Sequence, residues 1–205
     1  MLEKVVLVTK RTRLEELLLR FGSERQARFY IEHSGGDFSD YALEHSRYRA
    51  ALERVKPTLA SLQDLTFQTI DRELTKTFLF SKKDLVITLG QDGLVANTAK
   101  YVGDQPIIAI NPDPERYDGI LLPFLPEDIE RAVKATLASD VEIKKLTLGE
   151  ALLADGQRLL AFNDFFIGAR THVSARYKIG IDQASEFQSS SGVIVSTGAG
   201  STGWL

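Results

Sequence analysis

The run Val5-Val6-Leu7-Val8-Thr9 is apolar and β-branched almost without interruption, the pattern of a strand buried on both faces. Leu14, Leu17, Leu18 and Phe21 then recur at helical spacing, and Gly22 predicts where that helix stops. A loop containing Gly35 and Gly36 leads to a second helical pattern through Tyr48, Ala51, Leu52 and Val55, which Pro57 is expected to kink or end. Residues 65–70 (LTFQTI) and 84–90 (DLVITLG) read as strands, with a short helical stretch over 73–80 between them. Residues 94–102 read as a helix and 106–111 as a strand. Residues 127–138 form another helix, with Ile129, Ala132, Val133, Thr136 and Leu137 on one face. Strands alternating with helices predict a mostly parallel sheet covered on both sides.

Near Val141 the period changes. ALLADGQRLLAF places Asp155-Gly156 between two apolar arms, a hairpin signal. ARYKIGID alternates Ala175, Tyr177, Ile179 and Ile181 against Arg176, Lys178, Gly180 and Asp182, as a strand with one wet face does. There is no internal repeat or low-complexity tract. The pattern therefore predicts an α/β domain over residues 1–140 and an all-β domain over 141–205.

Composition narrows the function. The chain has 205 residues, 43% hydrophobic and 26% charged, as a soluble globular protein does. A net charge of −3 argues against a dedicated nucleic-acid binder. The absence of cysteine excludes disulfides, zinc–thiolate sites and thiol catalysis. His33, His45 and His172 lie far apart, without metal-ligand spacing. No apolar run is long enough for a bilayer, and the N-terminus carries neither signal peptide nor Arg-rich presequence, so a cytoplasmic setting without membrane contact is expected.

Two glycine-rich stretches carry candidate chemistry. In LVITLGQDGLVANTAKYV a buried strand ends at Leu89, a turn follows at Gly90-Gln91-Asp92-Gly93, and a helix begins at Leu94. Ligands of open α/β sheets bind outside the carboxyl ends of strands, glycines admit close backbone approach, and a helix N-terminus offers N–H groups to phosphate. Asp92 there is placed to take a proton from an attacking hydroxyl, to hold a metal ion, or to do both, unless it merely belongs to a connecting Asp-Gly turn. The second stretch, GVIVSTGAGSTGWL (192–205), spells G-x-G-x-x-G at Gly198, Gly200 and Gly203. It lies in an antiparallel context, whereas the dinucleotide fingerprint belongs at the first turn of a βαβ unit. No glycine follows the first strand, so a Rossmann dehydrogenase fits poorly.

Four segments together resemble the NAD kinase family. GQDGL is similar to the G-G-D-G-T loop of the NAD kinase, diacylglycerol kinase and phosphofructokinase superfamily, and Phe162-Asn163-Asp164 to the Asn-Glu/Asp motif of NAD kinases. SSGVIVSTGAGSTGW resembles their DGLIVSTPTGSTAY segment, and INPDPERYDG (110–119) the NTDPERSEG stretch of the mitochondrial type. The resemblance runs in order from Val5 to Leu205 and is faint before Leu85.

The resemblance implies transfer of the terminal phosphoryl group of ATP to the adenosine-ribose 2′-hydroxyl of NAD, with Mg²⁺ accompanying ATP. It implies an α/β domain followed by a β-sandwich-like domain, and homo-oligomers, dimers or tetramers. Asp92 would be the base or orienting group, and Gly90, Gln91 and Gly93 would shape the phosphate loop. Asn163 and Asp164 would bind the adenosine part of NAD. Thr197, Ser201 and Thr202 would line the dinucleotide, with Gly198 and Gly200 leaving room for it. Asp113 and Glu115, at the next strand end, are candidates to assist or are ordinary turn residues. Arg11 and Arg13, directly after the first strand, read as the solvated start of a helix, the alternative being that they reach a phosphate.

The departures are specific. Gln91 stands at the second glycine of the loop and Leu94 at its threonine; a side chain at 91 would be strained if its φ were positive. Ser191, Gly198, Gly203 and Trp204 replace the aspartate, proline, alanine and tyrosine of the other segment, the serine being shared with the mitochondrial type. Family chains continue beyond this segment, so the all-β domain is expected to be truncated. The alternatives are a non-catalytic NAD-binding protein of the same fold and a related kinase acting on a lipid or other acceptor. Polyphosphate as donor and NADH as acceptor stay open.

Overall fold

The computed structural model describes residues 2–62 and 65–201. They fall into two compact units, dividing between Ile143 and Lys144.

The first unit is a four-stranded parallel sheet with helices on both faces. Its strands are β1 (Lys4–Thr9), β2 (Thr66–Asp71), β3 (Asp84–Leu89) and β4 (Ile107–Ile110), in spatial order β2-β1-β3-β4. The six residues of β3 are all buried, and so are the four central residues of β1. On one face Val5, Leu7, Leu85, Ile87, Leu89, Ile108 and Ile110 pack against α3 (Phe38–Ala60) and α5 (Ile129–Leu137). On the other, Val6, Val8 and Val86 meet Leu94 of α4 (Asp92–Ala99) and Val102. Alternate residues of one strand thus serve two cores, which is why the sequence shows an unbroken apolar run.

Several elements differ from the sequence expectation. A further helix, α2 (Glu24–His33), stands between α1 (Arg13–Phe21) and α3. It buries only Ala27 and Ile31, a stripe too thin to show as a period. α1 stops as read, at Gly22 with φ +74°, and begins with a capping box between Thr12 and Glu15. Pro57 does not end α3, which continues to Ala60. It lies in the last turn, and the residue four before it, Glu53, is exposed, so water can serve the carbonyl deprived of an N–H. The helical stretch expected over 73–80 is one 3-10 turn at Arg72–Leu74, started by the Asp71 side chain accepting from the Glu73 N–H. Phe78 and Phe80 then pack on the second core. Finally, α4 begins at Asp92 rather than Leu94 and ends at Ala99.

The second unit consists of antiparallel pairs. β5 (Gly149–Leu152) pairs with β6 (Arg158–Ala161) across the Asp155-Gly156 turn, where Gly156 has φ +84°. β8 (Ala175–Ile181) pairs with β9 (Ala184–Ser190), and β7 (Asp164–Gly168) with β10 (Gly192–Ser196).

Candidate functional site

In the first unit the chain runs from β1 outward to β2 on one side, then crosses to β3 and β4 on the other. Loops leaving β1 and β3 therefore diverge, and the carboxyl end of the sheet opens a crevice between them. A cleft of about 610 Å³ lies at this end. It is lined by residues following β1 (Lys10, Arg11, Arg13), by Asp71 at the end of β2 and Arg72 after it, and by Gln91 after β3, with Tyr117 from the loop after β4.

The cleft is densely charged: Lys10, Arg11, Arg13, Arg72 and Arg116 stand among the carboxylates Glu16, Glu44, Asp71 and Glu73. Arg13 is paired with Asp40 at 2.7 Å and with the buried Glu44, and Arg116 is paired with Asp40 as well. Arg116 and Arg13 together hold the Asp40 carboxyl far below the usual carboxylate range. Lys10 Nζ is 3.8 Å from Glu44; burial pushes its ammonium below the usual lysine range, against the pull of Glu44. Arg11 reaches Glu73 at 3.4 Å across the mouth. Arg11 and Arg13, expected to be a solvated helix start, thus form part of a cleft wall. Asp113 and Glu115 do not face the cleft as spare carboxylates: Arg47 binds them at 2.7 and 2.6 Å.

The loop after β3 is positioned by its neighbours. Gln91 is the N-cap of α4 with φ −83°, so its side chain brings no backbone strain, and it makes no capping hydrogen bond. Gln91 thus gives the first N–H groups of α4 no side-chain cap, and the Leu94 N–H bonds the Gln91 carbonyl at 2.8 Å. Gly90 is close-packed, since a Cβ there would meet Leu94 Cδ2 at 2.9 Å. Gly93 is open, its nearest neighbour being Gln91 Nε2 at 3.8 Å. Leu94 is buried in the second core, so its replacement of the family threonine serves packing. Asp92 is half-buried, and its Oδ1 accepts a 2.7 Å hydrogen bond from the backbone N–H of Leu121.

The second unit brings the other predicted residues together at one end of the β7–β10 pair, where Asp164 lies opposite Ser196. The Thr197 N–H donates to the Asn163 carbonyl at 2.8 Å and the Thr197 hydroxyl to the Phe162 carbonyl at 2.7 Å. Gly200 N–H donates back to Thr197, and the Ser201 hydroxyl to the Gly198 carbonyl at 2.9 Å. A Cβ on Gly200 would fall 2.2 Å from the Asn163 carbonyl oxygen, whereas among the described residues nothing lies within 4 Å of one on Gly198. Thr202, with Gly203 and Trp204, lies outside the described residues.

No group of three His, Asp or Glu side chains that would hold a metal ion by itself occurs among the described residues. Nor is any helix there long and apolar enough to cross a membrane.

A parallel α/β unit with a charged cleft at its switch point, followed by antiparallel strand pairs, defines a two-domain α/β-plus-β protein. No family model matches the chain. Among curated proteins it is similar to "NAD kinase 2, mitochondrial" of Rattus norvegicus, 29% identical over 260 aligned positions that take in 98% of this chain and 59% of the relative. That similarity over nearly the whole chain supports membership of the NAD kinase family. The chain spans somewhat over half the length of this relative, whose name places it in mitochondria, so the cytoplasmic expectation gains no support.

Proposed function

We propose that this chain carries the donor-side and acceptor-side machinery of an NAD kinase, with Asp92 as the base for the adenosine-ribose 2′-hydroxyl. The observation that carries the proposal is the fixed carboxylate of Asp92, on the first residue of α4 and held by Leu121 N–H beside a strand-end cleft that contains Lys10, Arg11 and Arg72. A kinase acceptor has to lose a proton as its oxygen attacks phosphorus, and a positioned carboxylate receives it. Asp92 Oδ2 takes the 2′-hydroxyl proton, the 2′-oxygen forms the new P–O bond, and the bond from the γ-phosphorus to the bridging oxygen breaks to release ADP.

The remaining residues divide by chemistry. Lys10, Arg11 and Arg72 supply positive charge, and the α4 N-terminus supplies N–H groups for a transferred phosphoryl group. Mg²⁺ needs only one or two carboxylates when substrate phosphates complete its shell, a demand that Asp71 and Glu73 in the cleft wall can meet. When bound it neutralises charge on the phosphates. Asn163, Asp164 and the Thr197–Ser201 loop present the hydrogen-bonding groups expected to hold NAD. The unstrained backbone of Gln91 and the core packing of Leu94 speak for retained catalysis over a non-catalytic binding protein.

The direct experiment incubates the protein with NAD, ATP and Mg²⁺ and assays NADP with an NADP-specific dehydrogenase. Parallel reactions replace ATP by polyphosphate, NAD by NADH, and NAD by a diacylglycerol emulsion. NADP formation supports the proposal; phosphorylation of lipid alone would replace it with the lipid-kinase alternative.

A further inference from the structure

The ladder between β1 and β3 stops early. β1 stays paired with β2 as far as Thr9 opposite Asp71, but its pairing with β3 ends one residue sooner, at Val8 opposite Thr88. In a parallel ladder the next rung would run from the Lys10 N–H to the Leu89 carbonyl. The hydroxyl of Tyr48, from α3, stands in that place. It accepts from Lys10 N at 2.9 Å and donates to the Leu89 carbonyl at 3.2 Å.

Two hydrogen bonds in series replace one, so the strand ends are roughly 2 Å further apart than a single N–H···O contact of about 2.9 Å would set them. The separation falls at the switch point, between Lys10 in the cleft and the Gly90-Gln91-Asp92 turn. Tyr48 is well suited to keep it open. The side chain is 3% exposed and its ring belongs to the core cluster with Leu7, Leu89 and Val55, so the hydroxyl cannot swing away. Burial raises the phenol above its usual range, so it stays protonated and serves as acceptor and donor at once.

We infer that Tyr48 is a positioning residue: its hydroxyl wedges β1 and β3 apart at their carboxyl ends and so sets the spacing between Lys10 and the Asp92 turn across which a triphosphate binds. This inference rests on reading the cleft as the nucleotide-donor site of the kinase. Neither the resemblance nor strand-end chemistry points to residue 48, which sequence patterning assigns wholly to the core.

Tyr48→Phe tests it, because the ring and its packing remain and only the wedge atom is lost. Steady-state NADP formation is measured against ATP concentration for parent and variant, well below either melting temperature. The expected result is a raised KM for ATP together with a lowered kcat. Their ratio should fall by about 10- to 100-fold, since a misplacement of about 1 Å at a reacting centre can cost about 10²-fold. A lowered melting temperature with both constants unchanged would mean that the hydroxyl serves stability alone, and would overturn the inference while leaving the kinase reading intact. If the parent forms no NADP, that reading fails, and the wedge is judged on calorimetric binding of inorganic tripolyphosphate. Weaker binding by the variant sustains it; equal binding, or none by either protein, overturns it.

Discussion

The backbone N–H of Leu121 holds Oδ1 of Asp92 at 2.7 Å, although the two residues are 29 apart in sequence, Asp92 opening α4 and Leu121 lying in the loop after β4. The bond fixes the carboxylate, which has no ion-pair partner among the described residues. It depends on the turn from Gly119 to Leu122, closed by the Leu122 N–H on the Gly119 carbonyl at 2.9 Å. Asn111 braces the same loop, donating to the Tyr117 carbonyl and accepting from the Asp113 N–H.

Gly119 is the sensitive point of that turn. Its φ is +68°, and a Cβ would lie 2.7 Å from Asn111 Nδ2 and 3.2 Å from Leu122 Cβ. Gly119→Ala is expected to lower stability by about 1–2 kcal/mol through the left-handed backbone alone. By turning the Leu121 N–H away it should also reduce kcat more than it raises KM. Denaturant titration and initial-rate kinetics check the two effects separately.

In the second unit, paired alanine substitutions separate close packing from open space. Gly200→Ala drives a Cβ into the Asn163 backbone, which cannot rotate aside, and is expected to destabilise by about 1–3 kcal/mol as other overpacking does. Gly198→Ala meets nothing among the described residues and should stay within about 0.5 kcal/mol of the parent. Denaturation midpoints of the two variants, with NAD affinity by calorimetry, give the comparison; Gly200→Ala should also bind NAD more weakly, because it shifts Asn163.

Acid stability should carry the signature of Asp40. Arg116 and Arg13 lower its folded-state pKa below the unfolded value of about 3.9. The unfolded chain therefore takes up a proton first as pH falls, so the stabilisation is full above about pH 4 and is lost below it. Asp40 is 42% exposed, which limits the contribution to the range of surface pairs, about 0–1 kcal/mol. Unfolding free energies from pH 7 to 3 should decline more steeply for the parent than for Asp40→Asn; parallel curves would contradict the assignment.

The elements that sequence made legible are those whose burial is periodic and local. The Val5–Val8 run, the Ile129, Ala132 and Val133 face and the Asp155-Gly156 turn each announce themselves within a few residues. α2 was hidden because two buried residues make no stripe, and the passage of α3 through Pro57 because its cost falls on an exposed final turn. In the site, the turn bearing Asp92 was legible from its glycines and its place after a buried strand. The cleft walls were not. Arg47–Asp113 and Arg116–Asp40 join residues 66 and 76 apart, and Tyr48 acts through a hydroxyl on a helix face otherwise devoted to packing. Such long-range pairings leave no local pattern. The glycine at 200 was noticed for its spacing, whereas the structure explains it by the backbone of Asn163.

The central claim is tested most directly by the rate of NADP formation from NAD, ATP and Mg²⁺ in the parent and in Asp92→Asn. The asparagine carbonyl oxygen can still accept from Leu121 N–H, so the loop is retained while the base is removed. The account predicts a fall in kcat of about 10²- to 10⁴-fold with an unchanged melting temperature. Equal rates in the two proteins would contradict it, and would show that the carboxylate of Asp92 takes no proton in the reaction.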